Sequence, residues 1–217
     1  MRDRYSLAVG LIFFAVVVLA VVHQSGGSGT LGLDQMPSHW PLPEFAVPLA
    51  SSSLEGDSNV AQDDCETSRL PCPADARRTP ACRVRVRGAF PVCELFDRPS
   101  VLSFFTGGSD CIAQQDIVNQ AFERYRGRVA FLSVYLGDDR ESVRELIRQR
   151  GWKMPVGVDR DGAVGALYRV GVCPTLAYVY PGGTLQSAGV GELDSARLDT
   201  RIDRLIEATR AAEGGGA

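Results

Sequence analysis

Lysine is almost absent from this chain of 217 residues: of its 23 basic residues only Lys153 is a lysine. The arginines alternate with acids through Arg140 to Arg150 and Arg197 to Arg210, and the net charge is -3. Mixed charges of this kind solvate helix faces and form no basic block, so neither a nucleic acid nor an acidic substrate is expected as partner. Histidine is scarce too. His23 and His39 are the two in the chain and both lie in its N-terminal quarter. A Ser-His-Asp triad, a Cys-His pair or a histidine-ligated metal site in the later part would therefore lack its histidine. C-x-x-C spacing is missing as well: Cys65, Cys72, Cys82, Cys93, Cys111 and Cys173 stand farther apart than the close pairs of zinc ribbons, with no histidine interleaved. No metal and no nucleotide cofactor is expected.

What the chain does have is a long apolar run, Leu7 to Val22. It is slightly short of the roughly 20 residues of a spanning helix, and Tyr5 and His23 could extend it. Arg2 and Arg4 precede the run and no Lys or Arg follows until Arg69, which places the N-terminus in the cytoplasm and the rest of the chain outside. A single-pass anchor in the cell membrane is expected, and a cleaved signal peptide, giving a secreted protein, is the alternative; "VVHQSGG" offers a poor small-x-small cleavage site. The reading divides the chain into an anchor (1-24), an extracytoplasmic tether and extended arm (25-60), a cysteine-rich extension (61-98), a globular domain (99-211) and a disordered tail (212-217). Within the tether, "PLPEFAVPLA" has the apolar spacing of a short strand or a docked arm.

Outside the cell disulfides form and persist, and an even count of cysteines fits a bridged protein. In "CRVRVRGAFPVC" Val84 and Val86 alternate with arginines and Gly88 permits a turn, so a hairpin with Cys82 facing Cys93 is expected. Cys65 with Cys72 would be the other local bridge of this extension, and both bridges would be structural.

From Pro99 the periodicity sharpens. "VLSFF" suits a central strand, bounded by a proline before and glycines after. "DCIAQQDIVNQAFERYRG" then puts Ile117, Val118, Ala121, Phe122 and Tyr125 on one helical face and ends at Gly127. "RVAFLSVYLG" is again a strand. Asp138 and Asp139 open a helix with Val143, Leu146 and Ile147 inward and Gly151 at its end. "MPVGVD" is a strand, and "DGAVGALYRVG" a short helix with Ala163, Leu167 and Val170 inward. "TLAYVY" and "TLQSAGVG" flank a Pro-Gly-Gly turn as an antiparallel hairpin. Leu198, Ile202, Leu205 and Ile206 share a face of the last helix. This order predicts an α/β domain, a mixed central sheet with helices on both faces.

"VLSFFTGGSDC", "RYRGRVAFLSVYL", "VGVDRDGAVGALYRVGVCPTLAYVYPGG" and the terminal helix resemble, in order and spacing, the thioredoxin superfamily, above all the TlpA-like extracytoplasmic thiol-disulfide oxidoreductases. The resemblance spans about Pro99 to Ala211. It implies a thioredoxin-like fold for that domain, preceded by the N-terminal transmembrane helix and the cysteine-rich strand and hairpin extension read above. Where the family carries W-C-x-x-C this chain has "GGSDC": Cys111 falls on the second cysteine and Gly108 on the first, or else Ser109 takes the first position. The family's loop with a cis-proline is matched by "GVCPT", which puts Cys173 against the helix start. The resemblance thus implies a split pair, Cys111 and Cys173, as the catalytic dithiol, with Pro174, Thr175, Gly108 and Ser109 lining a substrate groove. Protein thiols or disulfides would be its partners. Such a bond could exchange or merely lock the core. A helix N-terminus stabilises a thiolate at Cys111 while Asp110 opposes it. Two other functions stay open: a redox-silent partner-binding module using the same groove, and a single-cysteine peroxidase, for which the hydroxyl residue expected at position 108 is missing and Thr106 lies two residues too early.

Overall fold

The computed structural model describes residues 32-54, 66-67, 70-71 and 80-214. The run Leu7 to Val22, Cys65 and Cys72 lie outside them, and among the described residues no helix is long and apolar enough to cross a membrane. In chain order the elements are β1 (Ala46–Pro48), β2 (Glu66–Thr67), β3 (Leu70–Pro71), β4 (Ala89–Pro91), β5 (Ser100–Phe105), α1 (Ser109–Arg124), β6 (Ala130–Leu136), α2 (Arg140–Arg150), β7 (Val156–Asp159), α3 (Ala163–Leu167), β8 (Thr175–Tyr180), β9 (Thr184–Val190) and α4 (Ser195–Gly214).

Five strands form the central sheet in the order β7-β6-β5-β8-β9. β5 pairs parallel with β6 and β6 with β7, whereas β8 runs antiparallel to both β5 and β9. The short apolar run from Val101 to Phe105 is buried throughout because β5 is the middle strand and both of its faces are covered. Its side chains alternate between two cores. Val101 and Phe105 join Val118 and Ala121 of α1, Val143 of α2 and Leu198, Ile202 and Leu205 of α4. Leu102 and Phe104 face the other side, with Val164 and Tyr168 from α3 and its end, and with Phe45, Val47, Val92 and Leu95. The helix stops follow local chemistry: the Asp139 carboxylate accepts from the Ser142 N–H at 2.9 Å to cap α2, and Gly151 ends it at φ 66°. The α3 stripe differs from the sequence expectation. Val164, Gly165 and Tyr168 are the buried residues of the helix and its end, while Ala163, Leu167 and Val170 are only partly covered. The Tyr168 hydroxyl donates to the Pro43 carbonyl at 2.7 Å, a partner contributed from outside the sheet.

That partner belongs to the docked arm, which crosses the second face from one sheet edge to the other. At β9, the His39 and Leu42 N–H groups donate to the Leu185 and Gly183 carbonyls at 2.6 and 2.9 Å. At β7, Leu49 bridges Gly157 and the Ala50 N–H donates to the Val156 carbonyl at 2.8 Å, so the arm pairs with that sheet edge. Arg144 then holds the arm's end through the Ala50 and Ser52 carbonyls at 3.0 and 2.9 Å. The "CRVRVRGAFPVC" segment also departs from expectation. Cys82 and Cys93 are bridged, with a Cα separation of 5.5 Å, and Gly88 does turn the chain at φ 93°. No hairpin joins them, however: residues 84-86 form no strand, and Ala89–Pro91 pairs antiparallel with Ala46–Pro48 of the arm. Apolar contact with the arm outcompetes the local pairing because β1 lies on the second core. The last helix continues to Gly214, past Ala211.

Candidate functional site

At the end of β5 the chain leaves the sheet at Thr106, passes through exposed Gly107 and Gly108, and enters α1. Gly108 is the N-cap and offers no side chain to the first turn. The N–H groups of that turn therefore remain available to a charge or an acceptor. Cys111 is the third residue of the helix. Its side chain turns inward and is 7% exposed, packed in the core beneath α1. The Thr106 hydroxyl lies 3.5 Å from its Sγ and donates to it.

From the other side comes the segment before β8. The Cys173–Pro174 peptide bond is cis, Pro174 and Thr175 are buried and Cys173 is partly exposed. Thr175 Oγ1 donates to the Val172 carbonyl at 2.6 Å and the Gly191 N–H to the Pro174 carbonyl at 3.0 Å, which ties the turn to β9. Cys111 and Cys173, 62 positions apart, form a disulfide with a Cα separation of 5.7 Å. The sulfur pair implied by the resemblance is thus brought together. That bond gives the Cys111 sulfur a partner, whereas the single-cysteine peroxidase reading has it alone. Gly108 is at the helix mouth, where a β-carbon would stand 3.7 Å from the Cys111 sulfur. Ser109 is exposed, and its hydroxyl goes to Asp110 Oδ1 at 3.2 Å instead of to sulfur.

Two exposed apolar side chains belong to this end of the domain, among exposed glycines, Ser109 and Asp110. Val172, next to Cys173, is 54% exposed, and Val190, paired with Thr175 across the hairpin, is 41% exposed. Beneath α1 lies a buried polar relay: the Gln115 amide donates to Ser103 Oγ of β5 at 2.5 Å and its carbonyl accepts from the Ser133 hydroxyl of β6 at 2.9 Å. It fixes the helix to the two strands one turn after Cys111. A β-carbon at Gly107 would lie 3.6 Å from the Tyr135 hydroxyl. Burial, reinforced by Asp139 and Asp138, pushes the Tyr135 phenol above its ordinary value, so it stays a neutral donor at physiological pH.

Sequence reasoning missed two of these elements. Thr106 figures in the sequence only as a misplaced peroxidase residue, and the signal that points to it is its position at the strand end, just before the helix start. Gln115 is polar and escapes a search for apolar periodicity. The cluster of Glu44 with Cys82 and Cys93 brings three metal-ligating atoms within 4.8 Å of one another, but both sulfurs are committed to a disulfide.

No family model and no curated protein matches the chain. Solved structures do. A DsbF from Mycobacterium tuberculosis, determined in mixed oxidised and reduced forms, matches with TM-score 0.50 and 25% identity over 54% of this chain and 87% of that one. A thiol:disulfide interchange protein of the thioredoxin family from Chlorobium tepidum matches with TM-score 0.57 and 12% identity, covering 79% of this chain and 99% of its own. A secreted disulfide oxidoreductase of Mycobacterium tuberculosis, homologous to Escherichia coli DsbE, matches with TM-score 0.50 and 20% identity over 54% and 89%. The chain therefore has the thioredoxin-like fold that these thiol:disulfide oxidoreductases share, with its own disulfide where α1 begins.

Proposed function

We propose that this protein exchanges thiols and disulfides with protein partners through the Cys111–Cys173 pair, on the outer side of a membrane to which the run Leu7 to Val22 tethers it. One observation carries the reading: a disulfide joins the start of α1 to the residue before Pro174, and its partly exposed Cys173 follows the exposed Val172, with exposed Val190 paired to Thr175 two positions on. An incoming peptide carrying a cysteine could lie against these side chains while its sulfur meets the bond. The membrane tether rests on Arg2 and Arg4 ahead of the apolar run and the absence of Lys and Arg between it and Arg69.

A second reading has its own support. Closing a loop of 62 positions stabilises a fold by about 4 kcal/mol in the entropic model, so the bond could act as a core lock in a module that only binds partners. A redox titration with mass-tagging of free thiols decides between them. A potential of about -120 to -270 mV supports exchange, and one well below about -300 mV makes the bond a lock.

A further inference from the structure

We propose that the two sulfurs divide the exchange between them, Cys173 taking the incoming sulfur and Cys111 leaving as a thiolate held by the Thr106 hydroxyl. The inference rests on the exchange reading above and adds to it the direction of attack. Cys111 is 7% exposed, whereas Cys173 is partly exposed and follows Val172, itself 54% exposed. Cys173 is therefore the more open of the two residues to a thiolate from solvent. The leaving side is prepared as well: Cys111 sits in the uncapped first turn of α1, and the Thr106 hydroxyl is 3.5 Å from its sulfur. Both features stabilise negative charge on that atom.

The step balances. A partner thiolate attacks Cys173 Sγ, a partner–Cys173 disulfide forms, the Cys111–Cys173 bond breaks, and the electron pair remains on Cys111 Sγ. A second thiolate of the same partner then attacks its own sulfur in the mixed disulfide and releases Cys173. The partner has lost two electrons and the protein holds them as a dithiol. A disulfide-bearing protein takes them back by the reverse sequence. Thr106 acts through Cys111 and is a positioning residue. Charged or titratable groups at this end include Asp110, whose carboxylate accepts from the Ser109 hydroxyl, Tyr135 beside Gly107, and Glu192, next to the Gly191 that bonds the Pro174 carbonyl.

The experiment uses the full chain in wild-type, Cys111→Ala and Cys173→Ala forms. Reduction of the folded wild-type disulfide within the range of potentials given above for catalytic disulfides establishes exchange by itself, and resistance to reduction there overturns the exchange reading. With exchange established, glutathione disulfide should modify Cys173 in Cys111→Ala at least about tenfold faster than Cys111 in Cys173→Ala, as accessibility demands. In the Cys173→Ala background, Thr106→Val should move the pH midpoint for alkylation of Cys111 upward by about one unit, and Thr106→Ser should restore it. Faster modification of Cys111, or a midpoint indifferent to Thr106→Val, overturns the division of roles while leaving exchange intact.

Discussion

Gly108 caps the helix whose third residue is Cys111, and a β-carbon on Gly108 would lie 3.7 Å from the Cys111 sulfur. The backbone there, φ -66° and ψ 145°, suits any residue. Gly108→Cys should therefore introduce a thiol that competes with Cys173 for Cys111. Peptide mapping of the oxidised variant should find a bond within the first turn of α1, with Cys173 newly open to alkylation. An unchanged Cys111–Cys173 bond and a free new thiol would show that the pair holds its partner against a nearer competitor.

The legible parts of this chain were those with period: the buried run at Val101 to Phe105, the apolar face of α1, and the turn chemistry at Gly151 all read directly from spacing. The Cys111–Cys173 contact could not come from spacing, since 62 positions separate the two. It came from resemblance at "GVCPT". What stayed hidden were contacts between distant segments. Nothing near Ala89 announces that the strand it opens will run beside the arm and not beside residues 84-86, because strand propensity does not name a partner. Gln115 and Thr106 were hidden because their value lies in a hydrogen bond across space, invisible to a hydrophobicity pattern.

The Cys82–Cys93 bridge brackets β4, and the Glu44 carboxylate accepts from the Cys82 N–H at 3.4 Å, so it fastens the segment that pairs with the arm. Replacing both cysteines with serine should lower unfolding stability by about 3 kcal/mol, the entropic worth of closing so short a loop. The potential of the Cys111–Cys173 pair should not move. A shifted potential would mean that the two disulfides communicate.

Val47 fills the space that Gly157 leaves empty: a β-carbon there would come within 3.0 Å of Val47 Cβ and closer still to its Cγ2. Gly157→Ala should push the arm off β7 and cost about 1–3 kcal/mol by overpacking. Combined with Val47→Ala the loss should fall short of the sum of the two, since trimming Val47 makes room. Urea unfolding of the four proteins measures the coupling. Strict additivity would show that the arm does not bear on Gly157 in solution.

Asp159, the last residue of β7, is 2% exposed, and its carboxylate accepts from the Val164 and Gly165 N–H groups at 3.2 and 2.8 Å, holding the first turn of α3. Burial raises its pKa, and the nearby Asp161 adds to the rise, while the two N–H groups work the other way. A carboxyl whose pKa is higher folded than unfolded keeps its proton longer in the native state. Its contribution to stability is complete below the unfolded value, about 3.9, and is lost as pH rises through the folded value. Asp159→Asn keeps an acceptor oxygen for the helix turn but cannot titrate. Relative to this variant, wild-type stability to urea should decline as pH climbs from the ordinary aspartate range, then level off once Asp159 is ionised. Exposed acids such as Asp139 and Glu145, whose pKa values hydrogen bonds hold low, are common to both proteins and cancel in the difference. A difference flat across that range would mean that Asp159 titrates alike in the folded and unfolded chain, and that the two N–H bonds fully offset its burial.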